Sequence, residues 1–165
     1  MIFYSGKKVL SFFVLLFLLT SCGPKRVDVL LNGASSLNPD EEGNPLPVVV
    51  RVYQLTQKEE IDAIEFKSLW KDDMALLKET LLDRQEVTLL PGSAKMIPIM
   101  LKEETNYLML MALFRKPVGN EWKKIIPVRK PTISSVNIEL TQQRLKVIPN
   151  RTPTRTHTND EYQYQ

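Results

Sequence analysis

One cysteine and one histidine are all this chain holds of the side chains that most often carry nucleophilic and proton-transfer chemistry. The histidine, His157, falls in the C-terminal stretch 150–165, which has no aliphatic residue and is expected to be disordered. A Ser-His-acid or Cys-His arrangement would have to draw on that tail. The cysteine, Cys22, closes an N-terminal apolar leader, and with no second cysteine no disulfide can form within the chain. Clustered metal-ligand spacing, a glycine-rich phosphate loop and a Walker pattern are all missing. The formal charge is only +3, and losing Lys7 and Lys8 with a leader would leave about +1, so no strong electrostatic partner is implied and nucleic acid is disfavoured. Acid pairs do occur, at Glu41/Glu42, Glu59/Glu60, Asp72/Asp73 and Glu103/Glu104. Each sits where acids commonly serve turns, caps and solubility, and each is expected to be solvated. These absences point to a protein that is not an enzyme and needs no cofactor, metal or small-molecule substrate.

Residues 1–21 are built as an export signal. Lys7 and Lys8 supply the positive region, and Val9 to Leu19 is apolar except for Ser11. A spanning helix needs roughly twenty apolar residues, so this run is too short to be one and has a signal peptide's flanks. It ends in Leu19-Thr20-Ser21-Cys22-Gly23. Small residues before a cysteine resemble a bacterial lipobox, in which the thiol is acylated and the cysteine becomes the first mature residue. The alternative is an ordinary secretory signal with a chance cysteine. Each buried methylene contributes about 0.8 kcal/mol, and stable anchoring takes more than one acyl chain. Proteins of this class resemble one another in carrying three. Gly23 is not the aspartate that such proteins use for inner-membrane retention. The lipid is therefore expected in the inner leaflet of the outer membrane, with the domain facing the periplasm. Residues 22–26 form a short tether, spanning at most about 17–18 Å to Val27. Lys25 and Arg26 then fall near lipid headgroups, or are ordinary solvated charges.

The mature chain, residues 22–165, is long enough for one domain with a proper core, expected over 27–149. Val27 to Leu31 reads as a strand ended by Asn32-Gly33. A proline-rich, acidic loop of about fourteen residues follows to Pro47, long for a compact domain and of the kind that often carries function. Val48 to Leu55 is apolar on both faces but for Arg51, as in a central strand. The period then changes. An insertion over 58–82 reads as two short helices, with Asp72 and Asp73 capping the second, and with Trp70, Met74, Leu77 and Leu81 as one core-facing stripe. Strands follow at 85–90, 95–101, 107–114, 122–128, 134–140 and 144–148, with Pro98 marking a sheet edge or a bulge. About seven or eight short strands with one helical insertion predict a mainly β, two-sheet sandwich.

With no reactive groups, a tethered, near-neutral sandwich is expected to bind rather than catalyse. The surface to suspect is the loop 33–47. Leu37 and Leu46 are apolar in polar surroundings, Pro39, Pro45 and Pro47 lower the entropic cost of holding one shape, and Asn38, Asp40, Glu41 and Glu42 could pair with a basic partner. An internal cavity lined by the apolar strand faces, in a lipid- or ligand-carrying lipoprotein, is the alternative.

The lipobox, then Leu37-Asn38-Pro39-Asp40 and the run Pro45-Leu46-Pro47-Val48-Val49-Val50-Arg51-Val52-Tyr53-Gln54-Leu55, resemble the outer-membrane lipoprotein family of type VI secretion systems (TssJ, SciN). Phe66 with Leu69, Asp72 with Leu77, Pro91-Gly92, and Ala112-Leu113-Phe114-Arg115 followed by Trp122 add to the resemblance, which covers about residues 19–148. It implies a transthyretin-like sandwich with a helical segment and no catalytic role. It also implies membership of an envelope-spanning complex and binding to the periplasmic C-terminal region of the inner-membrane component TssM through the loop between the first two strands. The contact residues would be Leu37, Asn38, Pro39, Asp40, Glu41, Glu42 and Leu46, and the lipid site Cys22. Two features depart from the family pattern: the Met- and Leu-rich strand 107–114 and the tail 150–165.

Overall fold

The computed structural model describes residues 25–129 and 133–149. The leader, Cys22 and the tail 150–165 lie outside the described residues. Eight strands are present among them: β1 (Arg26–Gly33), β2 (Val48–Leu55), β3 (Leu81–Leu89), β4 (Ala94–Met100), β5 (Tyr107–Ala112), β6 (Lys123–Pro127), β7 (Ser135–Leu140) and β8 (Leu145–Ile148). A 3-10 turn (Ile61–Ala63) and one helix, α1 (Phe66–Leu77), stand between β2 and β3. The strands form two four-stranded sheets, ordered β4-β1-β7-β8 and β3-β2-β5-β6. All pairings are antiparallel except β1 with β7.

Side-chain alternation builds the core. Val27, Val29 and Leu31 of β1, with Val136, Ile138 and Leu140 of β7, face Val48, Val50 and Val52 of β2 and Leu108, Leu110 and Ala112 of β5, all buried. β2 and β5 are the inner strands of their sheet, as their two apolar faces predict. Pro98 lies on β4, an edge strand. On the opposite side of the sandwich, Leu145 N–H donates to Glu121 O at 2.6 Å and ties β8 to the residue leading into β6.

The second face of the β2/β5 sheet is covered by α1. As periodicity suggests, it is two short helical segments that meet at a kink at Asp72 (φ −143°, ψ 50°); the second ends at Leu77, earlier than expected, with Leu81 and Leu82 already in β3. Its buried row is Leu69, Asp73 and Leu77. Trp70 and Met74, expected in the core stripe, are instead 48% and 56% exposed. The reason is chemical. The inward position between Leu69 and Leu77 is held by a carboxylate, which an apolar-period reading passes over. Asp73 does not solvate a helix end; it is drawn onto the sheet.

A buried lysine secures the start of this covering layer. Lys123 Nζ donates to Ile61 O (2.7 Å), Asp62 O (2.9 Å) and Ile64 O (3.0 Å), and stands 4.7 Å from the centre of the Trp122 ring. Burial pulls its pKa below the usual lysine value, with Asp62 opposing. Trp122 in turn packs edge-on against Phe66 at 5.2 Å.

Candidate functional site: the braced loop between β1 and β2

β1 ends where the chain comes very close to the turn after β3. A Cβ at Gly33 would lie 2.9 Å from Leu90 O, so only glycine fits. The root of the loop is then fastened on two sides: Ala34 N–H donates to Leu140 O (2.8 Å), and Gly92 N–H donates to Ala34 O (3.1 Å).

Two residues expected to meet a partner turn inward. Leu37 is fully buried in the core, and Leu46 N–H closes onto Leu37 O at 3.0 Å. Burying such a side chain contributes about 1.5–3 kcal/mol. Asn38 is buried in the left-handed region, with φ 45°, which asparagine tolerates better than most residues. It joins three segments. Its N–H donates to Gln142 O (2.9 Å), its Nδ2 to Pro47 O (2.8 Å), and its Oδ1 accepts the Arg115 N–H (2.8 Å). Leu37 and Asn38 are the brace of the loop, not its outer surface, because the chain supplies every partner they need.

The tip is built on Asp40. Its Oδ1 accepts the Glu42 N–H (2.9 Å) and the Asn44 N–H (2.8 Å), and its Oδ2 accepts Asn44 Nδ2 (3.0 Å). Asn44 O accepts the Asp40 N–H (3.0 Å), and Gly43 takes φ 88° to close the turn. These bonds, the Asn44 side chain foremost, hold the Asp40 carboxyl below its usual pKa, and Arg115 adds to this. Glu41, Glu42, Asn44 and Pro45 are exposed, while Pro39, Asp40 and Leu46 are half-buried. Lys116 Nζ approaches Glu41 Oε1 at 3.8 Å. The outer surface is thus a small, rigid, acidic knuckle with Arg115 and Lys116 beside it. Of the residues singled out from sequence, Pro39, Asp40, Glu41, Glu42 and Leu46 lie on or at this knuckle. The role of Arg115 and Lys116 is a gift of topology: they follow β5, far along the chain, and nothing local announces them.

Two surface clefts are lined by residues outside this loop. One, about 280 Å³, is lined by residues that include Lys58, Asp62, Glu121 and Lys124. The other, about 330 Å³, is bordered by Asn106, Tyr107, Pro127 and Arg129. Neither is an enclosed apolar cavity. Among the described residues no group of three or more His, Cys, Asp or Glu side chains is placed to hold a metal.

The molecule is a small two-sheet sandwich whose long first loop is stiffened from within and acidic at its tip. The chain belongs to the type VI secretion lipoprotein family (VasD, EvfM, TssJ), whose model matches residues 25–143. The T6SS lipoprotein TssJ1 from Pseudomonas aeruginosa has a similar structure, with a TM-score of 0.71 and 25% identity over 79% of this chain and 100% of that one. A chain of a type VI membrane complex is similar at TM-score 0.70 and 23% identity, over 77% of this chain and 100% of that one. A chain in a structure of the T6SS protein TssM C-terminal domain from EAEC is similar at TM-score 0.65 and 23% identity, over 76% and 98%. No curated protein matches the chain. The expected transthyretin-like sandwich with a short helical segment agrees with this family's structures.

Proposed function

We propose that this lipoprotein is acylated at Cys22, sits in the inner leaflet of the outer membrane, and anchors a type VI membrane complex by binding the periplasmic C-terminal region of TssM. The sandwich spans 27–149, behind a signal at 1–21 and a tether at 22–26. The observation that carries the reading is the polarity of β1. The tether enters at Arg26, and the strand delivers the chain to the loop eight residues later, about 23 Å along the sheet. The acidic knuckle is therefore held away from the end that the lipid would hold. Family membership and the likeness to chains from a type VI membrane complex and a TssM structure support the choice of partner.

Contact falls to the outer part of the loop, the exposed Glu41 and Glu42 with the half-buried Pro39, Asp40 and Leu46, while Leu37 and Asn38 fix its shape. The test is a pull-down from detergent-solubilised envelope with the wild-type protein and a Glu41→Lys/Glu42→Lys variant. Capture of TssM by the first and its loss by the folded second is expected; equal capture would remove the loop from the contact. A Cys22→Ser variant should leave the membrane fraction. A carrier of lipid or small ligands draws no support from the two open clefts.

A further inference from the structure

The outward side of β4 is apolar throughout, although the strand lies at a sheet edge. Its outward residues are Ala94, Met96, Pro98 and Met100, all exposed, with Met96 at 60% and Met100 at 47%. Leu30 of β1 pairs with Met96 and continues the row inward. An edge strand is normally defended by charge on its outward side, and a contiguous apolar surface marks a contact site.

Two observations say what covers it. The first is backbone chemistry. Gly33 N–H donates to Ser93 O and Leu101 N–H to Lys25 O, so with the antiparallel register Lys95, Ile97 and Ile99 spend their backbone groups on β1. The groups of Met96 and Pro98 and the Met100 N–H face the open edge, Met100 O is taken by Gln54 Nε2 (3.1 Å), and Pro98, in the middle, has no N–H to give. A strand from another protein or a second copy would find its ladder interrupted there. The row suits a surface that needs no ladder. The second is position. Met100 is the cross-strand partner of Arg26, and Arg26 lies four residues from Cys22, at most about 14 Å of chain. Lys25, Arg26 and Lys102 lie at this corner, with Lys25 Nζ also reaching Val128 O (3.4 Å), while Lys95 pairs with Leu31 toward the loop end of β1. Of the nearby acids, Asp28 is bonded to Arg26 at 2.7 Å, and Glu103 and Glu104 follow in the next turn.

We propose that the Met96–Pro98–Met100 row with Leu30 rests on the phospholipid bilayer, with Met100 deepest and the flanking cations on anionic headgroups. The inference rests on the lipid anchor at Cys22 and adds to it a fixed orientation. The domain leans on the membrane by its β1/β4 corner, and the loop at the far end of β1 is carried away from it.

The test uses the full mature chain, acylated at Cys22, in vesicles of phosphatidylethanolamine and phosphatidylglycerol. With Cys22 acylated, Met96→Cys, Met100→Cys and Glu41→Cys each offer one free thiol for a fluorescent label. Spin-labelled lipids should quench the labels at 96 and 100 several-fold more than the label at 41. Protein that floats with the vesicles but shows equal quenching at all three sites overturns the orientation and leaves the anchor standing. A blue-shifted label that the spin-labelled lipids do not quench shows a protein, not the bilayer, covering the row, and also overturns it. Protein that fails to float overturns both the anchor and the proposal.

Discussion

The Tyr53 hydroxyl donates to Asp73 Oδ2 at 2.7 Å, joining the middle of the central strand β2 to the middle of helix α1. The same oxygen accepts Arg84 Nε (2.8 Å) and Arg51 Nη1 (3.1 Å), and both arginines also bond Glu86. Arg51 Nη1 further donates to Trp70 O at 3.1 Å. Charge-assisted bonds of this kind are stronger than neutral ones, and removing one partner from a sheltered set costs more than the set's net contribution. Tyr53→Phe should cost about 1–2 kcal/mol and Asp73→Ala about 2–3 kcal/mol in urea unfolding. In the double variant the two losses should not add, because they share one oxygen.

The same carboxylate sets part of the acid sensitivity. Burial alone would push the Asp73 pKa up, but the bonds from Tyr53 and Arg84 and the charges of Arg51 and Arg84 outweigh it, and the pKa falls below 3.8. With the folded value below the unfolded one, the ionised group contributes stability above about pH 4, which is lost as pH falls through the folded value. Asp73→Asn should therefore be less stable than wild type at neutral pH and should lose less stability between about pH 4 and pH 2. Parallel loss in the two proteins, followed by circular dichroism, would contradict this.

The strands were legible because period-two alternation survives in β1, β2 and β7, where Val, Leu and Ile recur at every second position. The register of α1 was not. Asp73 faces the sheet and Trp70 and Met74 face water, the reverse of what polarity alone suggests, because Arg51 and Arg84 on the sheet make a carboxylate the fitting residue there. The loop between β1 and β2 was legible as a candidate, but not its inside and outside. Leu37 was conspicuous as an apolar residue among polar ones because it belongs to the core. Asn38 stands beside acids in the sequence, yet its three partners come from Pro47, Arg115 and Gln142, and only folding brings those together.

Lys123 offers a test of how the helical layer is fastened. Its ammonium donates to three carbonyls of the short 3-10 turn and its end, of which Ile61 O also accepts the Ile64 N–H. Lys123→Met keeps much of the apolar stem and removes the donors, so it should cost about 1–3 kcal/mol. The effect should be local before it is global. Hydrogen exchange should quicken over residues 57–66 while β2 and β5 remain protected.

The loop separates stability from binding in a way that can be measured residue by residue. Leu37→Ala removes a fully buried side chain and should cost about 2–5 kcal/mol. Asn38→Ala leaves the Arg115 N–H without its acceptor and Pro47 O without its donor, and should cost about 1–3 kcal/mol. Deleting 33–47 outright takes Leu37 and Asn38 with it, so the domain should unfold rather than survive without the loop. Glu41→Lys/Glu42→Lys changes only exposed side chains, and its unfolding midpoint should match wild type closely. The four variants therefore form two classes. The first three should lose partner binding through lost shape, in proportion to their instability. The fourth should lose it with the fold intact, because charge at the tip reverses while the brace beneath stays in place. If the charge-reversed protein still binds while Asn38→Ala does not, the contact lies on the Arg115–Lys116 segment that Asn38 also positions, and the acidic tip is a bystander.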